Sequence, residues 1–486
     1  MVSSRSVDLD ELRALLGEWR NGSGSLAERL AAAVEQAIER GELLQTWRLP
    51  AERSIAEELG VGRSTVVRSM EVLAARGIVH RVQGAGSFIT GKRSSPRTAS
   101  LPPGLRSKYQ MGEYTGPGII AATVPSSADL PADALTVTAS ELLDASPDGE
   151  PPGSGYHLAG LAGTRRAISA MLTAHGLPTG PNAVIVTTGA TQSLSLVFDQ
   201  ALAPGDVVVV ESPTFPPTLD LLRRAGVQVV SVRTGDAAVD TEGLAKVALK
   251  ARAKMAVVTA TCNVATGHSV TSEDRRALVR IAEAGVTVVD DCTLADYHPM
   301  PQPRPLAAMS DQRSIITVGS FNKIYWGGLR MGWIRSHPTL VPSLVRTKAK
   351  TDTGSSVPSQ LILAKLLRHH DTIADLRRLQ VQRRAAATRD FIGRELPDWI
   401  IEGPGHGPAM WIRLPVRDSA EFVAFAYQQG TAVGYGGMYR SDGRASQHIR
   451  LTLTSGDDEV ARGVADLKAA WSAFPDRRRT RKGNAR

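Results

Sequence analysis

The first ninety residues show three helical apolar patterns followed by two strand-like segments. Apolar residues recur at helical spacing over 26–40, again after Pro50, and again over 63–76. Gly60-Val61-Gly62 supplies a tight turn before the third pattern. Residues 78–89 hold two β-rich stretches around Gln83-Gly84-Ala85-Gly86, which is a hairpin signal. The order helix, helix, turn, helix, hairpin predicts a winged helix-turn-helix.

The remainder of the chain alternates short apolar runs with helical stretches. Seven runs are candidate strands: 184–187, 207–210, 227–232, 255–259, 286–290, 315–318 and 331–334. Strands separated by helices predict an α/β domain with a mainly parallel, doubly wound, seven-stranded sheet. Ligands of such sheets bind beyond the carboxyl ends of the strands. The polar residues that follow these runs are therefore the candidates for a site.

Residues 91–112 are rich in Ser, Pro, Lys and Arg and lack apolar periodicity, so we interpret them as a linker. This divides the chain into a first domain at 1–90 (core 25–90), a second at 113–475, and a basic tail at 476–486. The net charge is +9, of which residues 1–110 carry +4 and the tail +5. Positive ends favour a polyanionic partner, although the tail alone is equally typical of a disordered, solubilising terminus.

Length and composition exclude several classes of protein. A chain of 486 residues is too long for a single core. No apolar run approaches the roughly 20 residues that cross a bilayer, and residues 1–13 have no apolar signal region, so we expect a cytoplasmic protein without a membrane partner. The two cysteines, Cys262 and Cys292, exclude a disulfide scaffold and a four-cysteine zinc site, and we predict no metal centre.

The segments Leu49-Pro-Ala-Glu-Arg53 and Gly60-Val-Gly-Arg-Ser-Thr-Val66 closely resemble the GntR-type winged helix. The resemblance implies binding of double-stranded DNA, since the N-terminus of the third helix offers N–H groups to phosphates. An arginine there can read a guanine edge in the major groove. The implied DNA-contacting residues are Arg53, Arg63, Ser64, Thr65 and Arg68, with Gln83, Gly84 and Gly86 in the wing. The alternative is a winged helix that docks a protein.

Residues 113–470 resemble the fold-type I aminotransferases. The resemblance rests on Gly319-Ser-Phe-Asn-Lys323 followed by Gly327-Gly-Leu-Arg330-Met-Gly332, which keeps the seven-residue spacing of the family's lysine and arginine. It implies that Lys323 forms a Schiff base with pyridoxal 5′-phosphate. It also implies that Ser320 and Arg330 hold the phosphate, with Asn322 in place of the family's second serine.

Further segments follow in the order of that family. The resemblance implies a phosphate cradle at 188–192 with Ala190 and Thr191, ring stacking by Phe215, and a partner for the ring nitrogen in Asp291. It further implies that Tyr156 reaches the phosphate of a neighbouring subunit, and that Arg450 binds an α-carboxylate.

The chain departs from the family around the ring hydroxyl. Val264 stands where the family has the residue that bonds this oxygen, and Thr293 stands where it has a tyrosine. We expect Asn263 and Thr293 to substitute in part. These departures concern catalytic competence more than cofactor binding.

A GntR-type winged helix joined to an aminotransferase-like domain is the MocR arrangement. It implies a homodimeric transcription regulator with head-to-tail domain swapping, which senses an amine or amino acid through the cofactor on Lys323. The cofactor itself is an alternative effector. Two further hypotheses are a working aminotransferase tethered to DNA and a scaffold that has lost the cofactor. The departures around the ring hydroxyl count against the first, and Lys323, Arg330 and Asp291 count against the second.

Overall fold

The computed structural model divides the chain into two compact units, Met1–Thr98 and Ala99–Arg486. It describes residues 7–21, 24–39, 43, 48–75, 78–82, 86–89, 125–143, 155–233, 240–310, 313–404 and 406–475. The predicted linker 91–112, the tail 476–486 and the wing residues Gln83 and Gly84 lie outside the described residues.

The first unit contains four helices and a hairpin within its described residues: α1 (Leu9–Leu16), α2 (Leu26–Glu39), α3 (Glu52–Leu59), α4 (Arg63–Ala75), β1 (Val79–Val82) and β2 (Gly86–Ile89). The two strands pair antiparallel. Leu30, Val66 and Leu73 lie in one buried cluster, so the apolar stripes of α2 and α4 form the core. The predicted winged helix-turn-helix is confirmed. Helix α1, which Asp8 caps, was not predicted.

The second unit is built on a seven-stranded sheet whose strands are β3 (Val184–Thr187), β4 (Val207–Ser212), β5 (Gln228–Arg233), β6 (Met255–Val258), β7 (Thr287–Asp291), β8 (Ile315–Ser320) and β9 (Gly332–Arg335). Their order is β3-β9-β8-β7-β6-β4-β5. Only the pairings of β9 with β3 and β8 are antiparallel. The predicted mainly parallel sheet is confirmed, with strand ends shifted by at most two residues.

The second unit contains helices that cover both faces of this sheet and others, later in the chain, that pack with a small second sheet. They are α5 (Ala139–Leu143), α6 (Ala162–Ala174), α7 (Ala190–Ala201), α8 (Pro216–Arg224), α9 (Thr241–Lys250), α10 (Arg275–Glu283), α11 (Val341–Lys348), α12 (Val357–Leu366), α13 (His370–Glu395), α14 (Ala420–Gln428) and α15 (Asp457–Ala473). Each face has its own apolar cluster, because alternate residues of a strand point to opposite sides. Val289 belongs to the cluster with α7 and α8, and Val288 belongs to the other. Within the described ranges no helix is both long and apolar enough for a bilayer.

A smaller antiparallel sheet, which was not predicted, follows the long helix α13. It consists of β10 (Ile400–Glu402), β11 (Ala409–Arg413), β12 (Gly434–Tyr435) and β13 (His448–Thr452) in the order β10-β11-β13-β12. Its apolar residues Ile412, Ile449 and Leu451 join one of the two clusters of the larger sheet. Arg450 lies between Ile449 and Leu451, so its side chain points to the other face of the small sheet. Its neighbour on that face, Trp411, packs with Ala265 from the loop after β6.

Candidate functional site

Lys323 lies just beyond the carboxyl end of β8, in a segment of turns. Side chains from other elements hold the main chain of this segment in place. Tyr297, in the 3-10 helix Ala295–Tyr297, donates its hydroxyl to the Lys323 carbonyl oxygen at 2.7 Å. Arg377 of α13, which is 3% exposed, donates Nε to the Ile324 carbonyl oxygen at 3.2 Å. The main chain around Lys323 is thus fixed by two other elements.

The amine of Lys323 lies in a positively charged, desolvated neighbourhood. Desolvation, and after it the charges of Arg450 and Arg330, lowers the pKa of Lys323 to about 8. The fold therefore brings these three predicted residues together. A lowered pKa increases the neutral fraction of the amine near neutral pH, and the neutral amine is the nucleophile.

The N-terminus of α7 forms a cradle beside Ser320. In the described part of the chain no side chain caps this helix, and Gly189 precedes it with φ at 140°. A Cβ on Gly189 would lie 2.8 Å from Asn322 Nδ2 and 3.6 Å from Ser320 Oγ, so the absent side chain keeps this space open. The first N–H groups of a helix have no intrahelical partner and favour an anion. Those groups belong to Ala190 and Thr191.

Asn322 ties the cradle to the Lys323 segment. Its Nδ2 donates to the Thr188 carbonyl oxygen at 3.2 Å, and its Oδ1 accepts from the Met331 N–H at 2.9 Å. Its amide therefore joins the two segments that flank the cradle. Arg330 is exposed and adopts a left-handed backbone conformation with φ at 53°. Such a conformation costs about 1–3 kcal/mol outside glycine and is typical of functional sites.

The two aspartates that end β7 point to opposite faces of the sheet. Asp290 shares a face with Val288, and its Oδ1 accepts from the Ala260 N–H at 3.2 Å. Asp291 shares a face with Val289 and helix α7, and burial raises its pKa to about 6. Ser320 comes two residues after Val318 in β8, so it points to the same side as Val318, which lies on the Asp291 face. The sheet thus directs Asp291, and not Asp290, to the face of the cradle.

In the loop after β6, the side-chain amide of Asn263 makes hydrogen bonds to backbone groups. Asn263 Oδ1 accepts from the N–H groups of Ala265 and Thr266 at 3.0 and 3.1 Å, and its Nδ2 donates to the Pro213 carbonyl oxygen at 3.1 Å. Arg450 is 3% exposed and donates Nε to the Val264 carbonyl oxygen at 2.7 Å. The loop therefore positions Arg450.

The other predicted cofactor residues differ in their surroundings. Phe215 precedes α8 and packs in the cluster on the Asp291 face. The Thr293 N–H donates to Asp291 Oδ1 at 3.0 Å, while Thr293 Oγ1 is buried with no hydrogen-bond partner among the described residues. Tyr156 is 70% exposed, so the described residues of its own chain leave it at the surface.

Sequence reasoning missed the buried polar residues beneath this site. Glu211, whose pKa burial raises to about 8, accepts the Thr259 N–H at 2.8 Å. Arg275, which is fully buried, donates Nη2 to the Ala260 carbonyl oxygen at 2.7 Å. Both hold the start of the loop that carries Val264. Glu211 could have been found as a charge that directly follows four valines, whereas Arg275 gives no such signal.

The winged-helix unit presents basic side chains at the start of α4. Arg63, Ser64 and Arg68 are exposed, and Thr65 is half-buried. Arg53 is also exposed and pairs with Glu57 at 3.0 Å, four residues further along α3. An exposed pair of this kind is worth little, so Arg53 can exchange it for another anion. Gly86 begins β2.

Comparison with known proteins matches two segments of the chain to protein families. Residues 151–467 match the model of the family described as aminotransferase class I and II. The chain belongs to the aminotransferase class I and II family. Residues 26–89 match the family of bacterial regulatory proteins described as gntR, so this aminotransferase-family chain carries a GntR-type helix-turn-helix.

Several relatives of this aminotransferase-family chain extend over nearly all of it. The HTH-type transcriptional regulator TauR of Rhodobacter capsulatus is 26% identical over 487 residues, which is 92% of this chain and 97% of TauR. The probable rhizopine catabolism regulatory protein MocR of Rhizobium meliloti is 25% identical over 481 residues, or 94% and 95% of the two chains. The chain thus has the MocR-type domain order.

A solved structure of similar fold is LysN, the α-aminoadipate aminotransferase of Thermus thermophilus, complexed with N-(5′-phosphopyridoxyl)-L-leucine. It matches with a TM-score of 0.68 at 23% identity, covering 79% of this chain and 97% of LysN. This match shows the fold, which is the fold-type I aminotransferase fold.

The residues present fit pyridoxal 5′-phosphate, the cofactor of this aminotransferase fold. The cradle that Gly189 keeps open suits the phosphate. The lowered pKa of Lys323 suits an amine that condenses with an aldehyde. The buried carboxylate of Asp291 suits the ring nitrogen, because it lies on the face of the cradle.

Proposed function

We propose that this protein is a DNA-binding transcription regulator that holds pyridoxal 5′-phosphate on Lys323 and responds to a small amine or amino acid. The observation that carries the proposal is the grouping of Lys323, Arg330 and Arg450 in a chain that also has a winged helix. Its MocR-type domain order supports the regulatory part.

The cofactor supplies an aldehyde that reacts reversibly with primary amines. In our proposal Lys323 holds it covalently, while Ala190, Thr191, Ser320 and Arg330 bind the phosphate. Asn322 positions these groups through its two backbone hydrogen bonds. Asp291 would hold the ring nitrogen, Phe215 would stack on the ring, and Thr293 and Asn263 would be the residues available to the ring oxygen.

Arg450 is the proposed reader of an effector carboxylate. Its guanidinium is one of the two charges that lower the pKa of Lys323. In our proposal an amino acid whose amine approaches Lys323 places its carboxylate on Arg450. The bond from Nε to the Val264 carbonyl fixes the guanidinium plane. A fixed guanidinium binds a carboxylate bidentately through its terminal nitrogens. A simple amine, or the cofactor alone as effector, would not need this residue.

The proposed regulator is a cytoplasmic homodimer with head-to-tail exchange of the large domains. The exposure of Tyr156 supports this, since a tyrosine that binds a neighbouring subunit's phosphate is not buried in its own chain. Effector binding would shift an equilibrium between two arrangements of the dimer and thereby change its affinity for DNA.

Double-stranded DNA is the proposed partner of the first unit. Arg63, Ser64, Thr65 and Arg68 would enter the major groove at the start of α4, and Arg53 would bind phosphate. The wing residues Gln83, Gly84 and Gly86 would lie in the minor groove.

The test on DNA uses the full-length protein and fluorescence anisotropy over a range of salt concentrations. The probes are the duplex upstream of its own gene and a random duplex. We expect Arg63→Ala to weaken specific binding by about 1–3 kcal/mol. We expect Arg53→Ala to weaken both duplexes and reduce the salt slope by about one. Arg224→Ala, an exposed arginine of the other unit, is the control. An unchanged salt slope in Arg53→Ala would contradict the phosphate role.

A second candidate function is a working aminotransferase tethered to DNA. It is favoured by the 2-aminoadipate transaminase of Thermus thermophilus, which is 27% identical over 300 residues, or 60% of this chain and 75% of that enzyme. Val264 and Thr293 count against it. The discriminating measurement is stopped-flow spectroscopy with a panel of amino acids. Complete conversion of the cofactor to its amine form, reversed by a keto acid, would establish the enzyme. A saturable spectral response without that conversion, lost in Arg450→Ala, would establish the sensor.

A further inference from the structure

Two histidines and an aspartate meet close to the Lys323 segment, although they lie far apart in the sequence. His175 follows the last residue of α6, Asp296 lies in the 3-10 helix Ala295–Tyr297, and His370 begins α13. One ligand atom from each lies within 4.8 Å of those of the other two. This group is distinct from the residues that we assign to the cofactor.

One distance within this group equals that between two ligands of a tetrahedral metal ion. His370 Nε2 lies 3.4 Å from Asp296 Oδ1. Two ligand atoms that are each about 2.1 Å from a tetrahedral zinc ion are about 3.4 Å apart. His175 Nε2 lies 2.9 Å from Oδ1 of Asp371, which follows His370 in α13 and orients this imidazole.

His370 is the residue that indicates a built site. It is 3% exposed, and its Nε2 has no hydrogen-bond partner within the described ranges. Its Nδ1 lies 2.8 Å from the hydroxyl of Tyr325, a fully buried residue. With Nδ1 donating to this oxygen, Nε2 carries its lone pair towards the cluster. A ligating histidine is usually held through its other nitrogen in this way.

The cluster also has an open side. Asp371 is 80% exposed and His175 is 26% exposed, so an ion can enter from solvent. Two imidazoles and one carboxylate form a donor set that suits zinc better than magnesium or calcium, which prefer oxygen ligands alone.

We propose that His175, Asp296 and His370 form a binding site for one zinc ion, with a water molecule in the fourth position and Asp371 orienting His175. Asp296 precedes Tyr297, which donates to the Lys323 carbonyl, and Tyr325 lies two residues after Lys323. An ion held here connects α6, α13 and the 3-10 helix to the segment that carries Lys323. The site therefore supports the cofactor lysine from outside the cofactor pocket.

The test is a zinc titration of the full-length protein, purified without a polyhistidine tag and stripped with a chelator. Isothermal calorimetry should give one zinc per chain. Cobalt(II) in place of zinc should give the intense visible bands of four-coordinate cobalt. We expect His175→Ala and His370→Ala each to weaken zinc binding at least tenfold, and Tyr325→Phe about tenfold. His369→Ala, an exposed neighbour of His370, is the matched control and should bind as the parent protein does.

Three results would overturn the proposal. They are the absence of saturable zinc binding, equal affinity in His175→Ala and the parent protein, and loss of binding in His369→Ala. His175 is partly exposed at a helix end, so its variant keeps the test valid if His370→Ala fails to fold, as circular dichroism would show. Zinc binding needs neither DNA nor an effector, so its failure leaves the proposed function untouched.

Discussion

The two ends of the candidate cofactor site differ in which chemical groups they keep. At the phosphate end, Ser320 and Arg330 accompany a helix N-terminus that Gly189 leaves open. At the end that we propose faces the ring oxygen, Val264 and Thr293 stand where the family resemblance implies two groups that bond this oxygen. The nearby amide of Asn263 is committed to its own loop and to the Pro213 carbonyl. In the proposed assignment the site has the groups that hold the cofactor and lacks those that tune its ring.

This difference separates binding from turnover. Holding the cofactor needs a cradle for an anion and an amine for an aldehyde, and both are present. Repeated turnover needs charge on the ring oxygen to be stabilised by donors fixed in advance. A sensor requires only the first set of groups, so the comparison favours a regulator. The predictions below test each end of the site.

The largest effect is expected at Lys323. Lys323→Ala removes the amine that holds the cofactor, so covalent retention should be abolished. The measurement is the intact mass of the protein after incubation with pyridoxal phosphate and reduction with borohydride. Lys350→Ala, an exposed lysine beyond α11, is the control and should keep the added mass. An unchanged covalent adduct in Lys323→Ala would assign the cofactor to another lysine.

The pH dependence of cofactor capture should report the lowered pKa of Lys323. With that pKa at about 8, the neutral amine increases about 50-fold from pH 6 to pH 8 and then levels off. A lysine at its usual 10.5 would continue to gain reactivity beyond pH 10. The measurement is the rate of the absorbance change after mixing with pyridoxal phosphate. Arg450→Ala removes a positive neighbour and should move the plateau to higher pH. A rate that still rises steeply above pH 9 would contradict the desolvated lysine.

The same shift has a consequence for stability. Because the pKa of Lys323 is lower in the folded chain than in the unfolded chain, the unfolded chain binds more protons between pH 8 and pH 10.5. The contribution of this residue to the free energy of unfolding therefore increases with pH across that window. The lysine opposes folding at neutral pH, which is typical of a residue kept for its chemistry.

Much of the fold follows from the sequence, for reasons that particular elements illustrate. The central strands of the main sheet contain apolar runs because both of their faces are covered, and Val207–Ser212 begins with four valines. The small sheet was missed because β10 and β12 have only three and two residues and long connections separate its strands. Arg450 on β13 was still found, through the local pattern His448-Ile-Arg-Leu.

The sequence predicts those parts of the site whose chemistry lies within one segment. It does not predict contacts that depend on how distant segments pack. The spacing of Lys323 and Arg330 is a property of one segment, so the sequence displays it. The use of the Asn263 and Asn322 amides on backbone groups depends on neighbouring loops. The cluster of His175, Asp296 and His370 unites three distant segments, and no spacing rule could find it.

The two aspartates of β7 offer a matched pair of variants that test the groups proposed to hold the cofactor. Asp291→Asn removes the carboxylate on the face of the cradle, and losing a charged hydrogen bond of about 1.5–3 kcal/mol should weaken cofactor binding about tenfold to a hundredfold. Asp290→Asn alters the opposite face, where Asp290 accepts from the Ala260 N–H. It should lower the unfolding temperature with little effect on the cofactor spectrum. Spectral titration and thermal unfolding measure the two outcomes, and a reversed pattern would assign the ring nitrogen to Asp290.

The smallest effect is expected from repairing the ring-oxygen end. Val264→Asn restores a donor at the position that the family uses, and one neutral hydrogen bond is worth about 1 kcal/mol, or about fivefold in rate. The backbone that carries Val264 is already fixed, since its carbonyl accepts from Arg450 and Asn263 holds the following residues. The new amide should therefore meet the ring oxygen without rebuilding the loop. The measurement is the single-turnover rate of cofactor conversion by an amino acid, with Val264→Leu as the control for altered packing. Equal rates in the two variants would show that the missing donor does not limit turnover. In that case Thr293 would be the next residue to test, because its side chain is too short to place a hydroxyl where the family's tyrosine places its phenol.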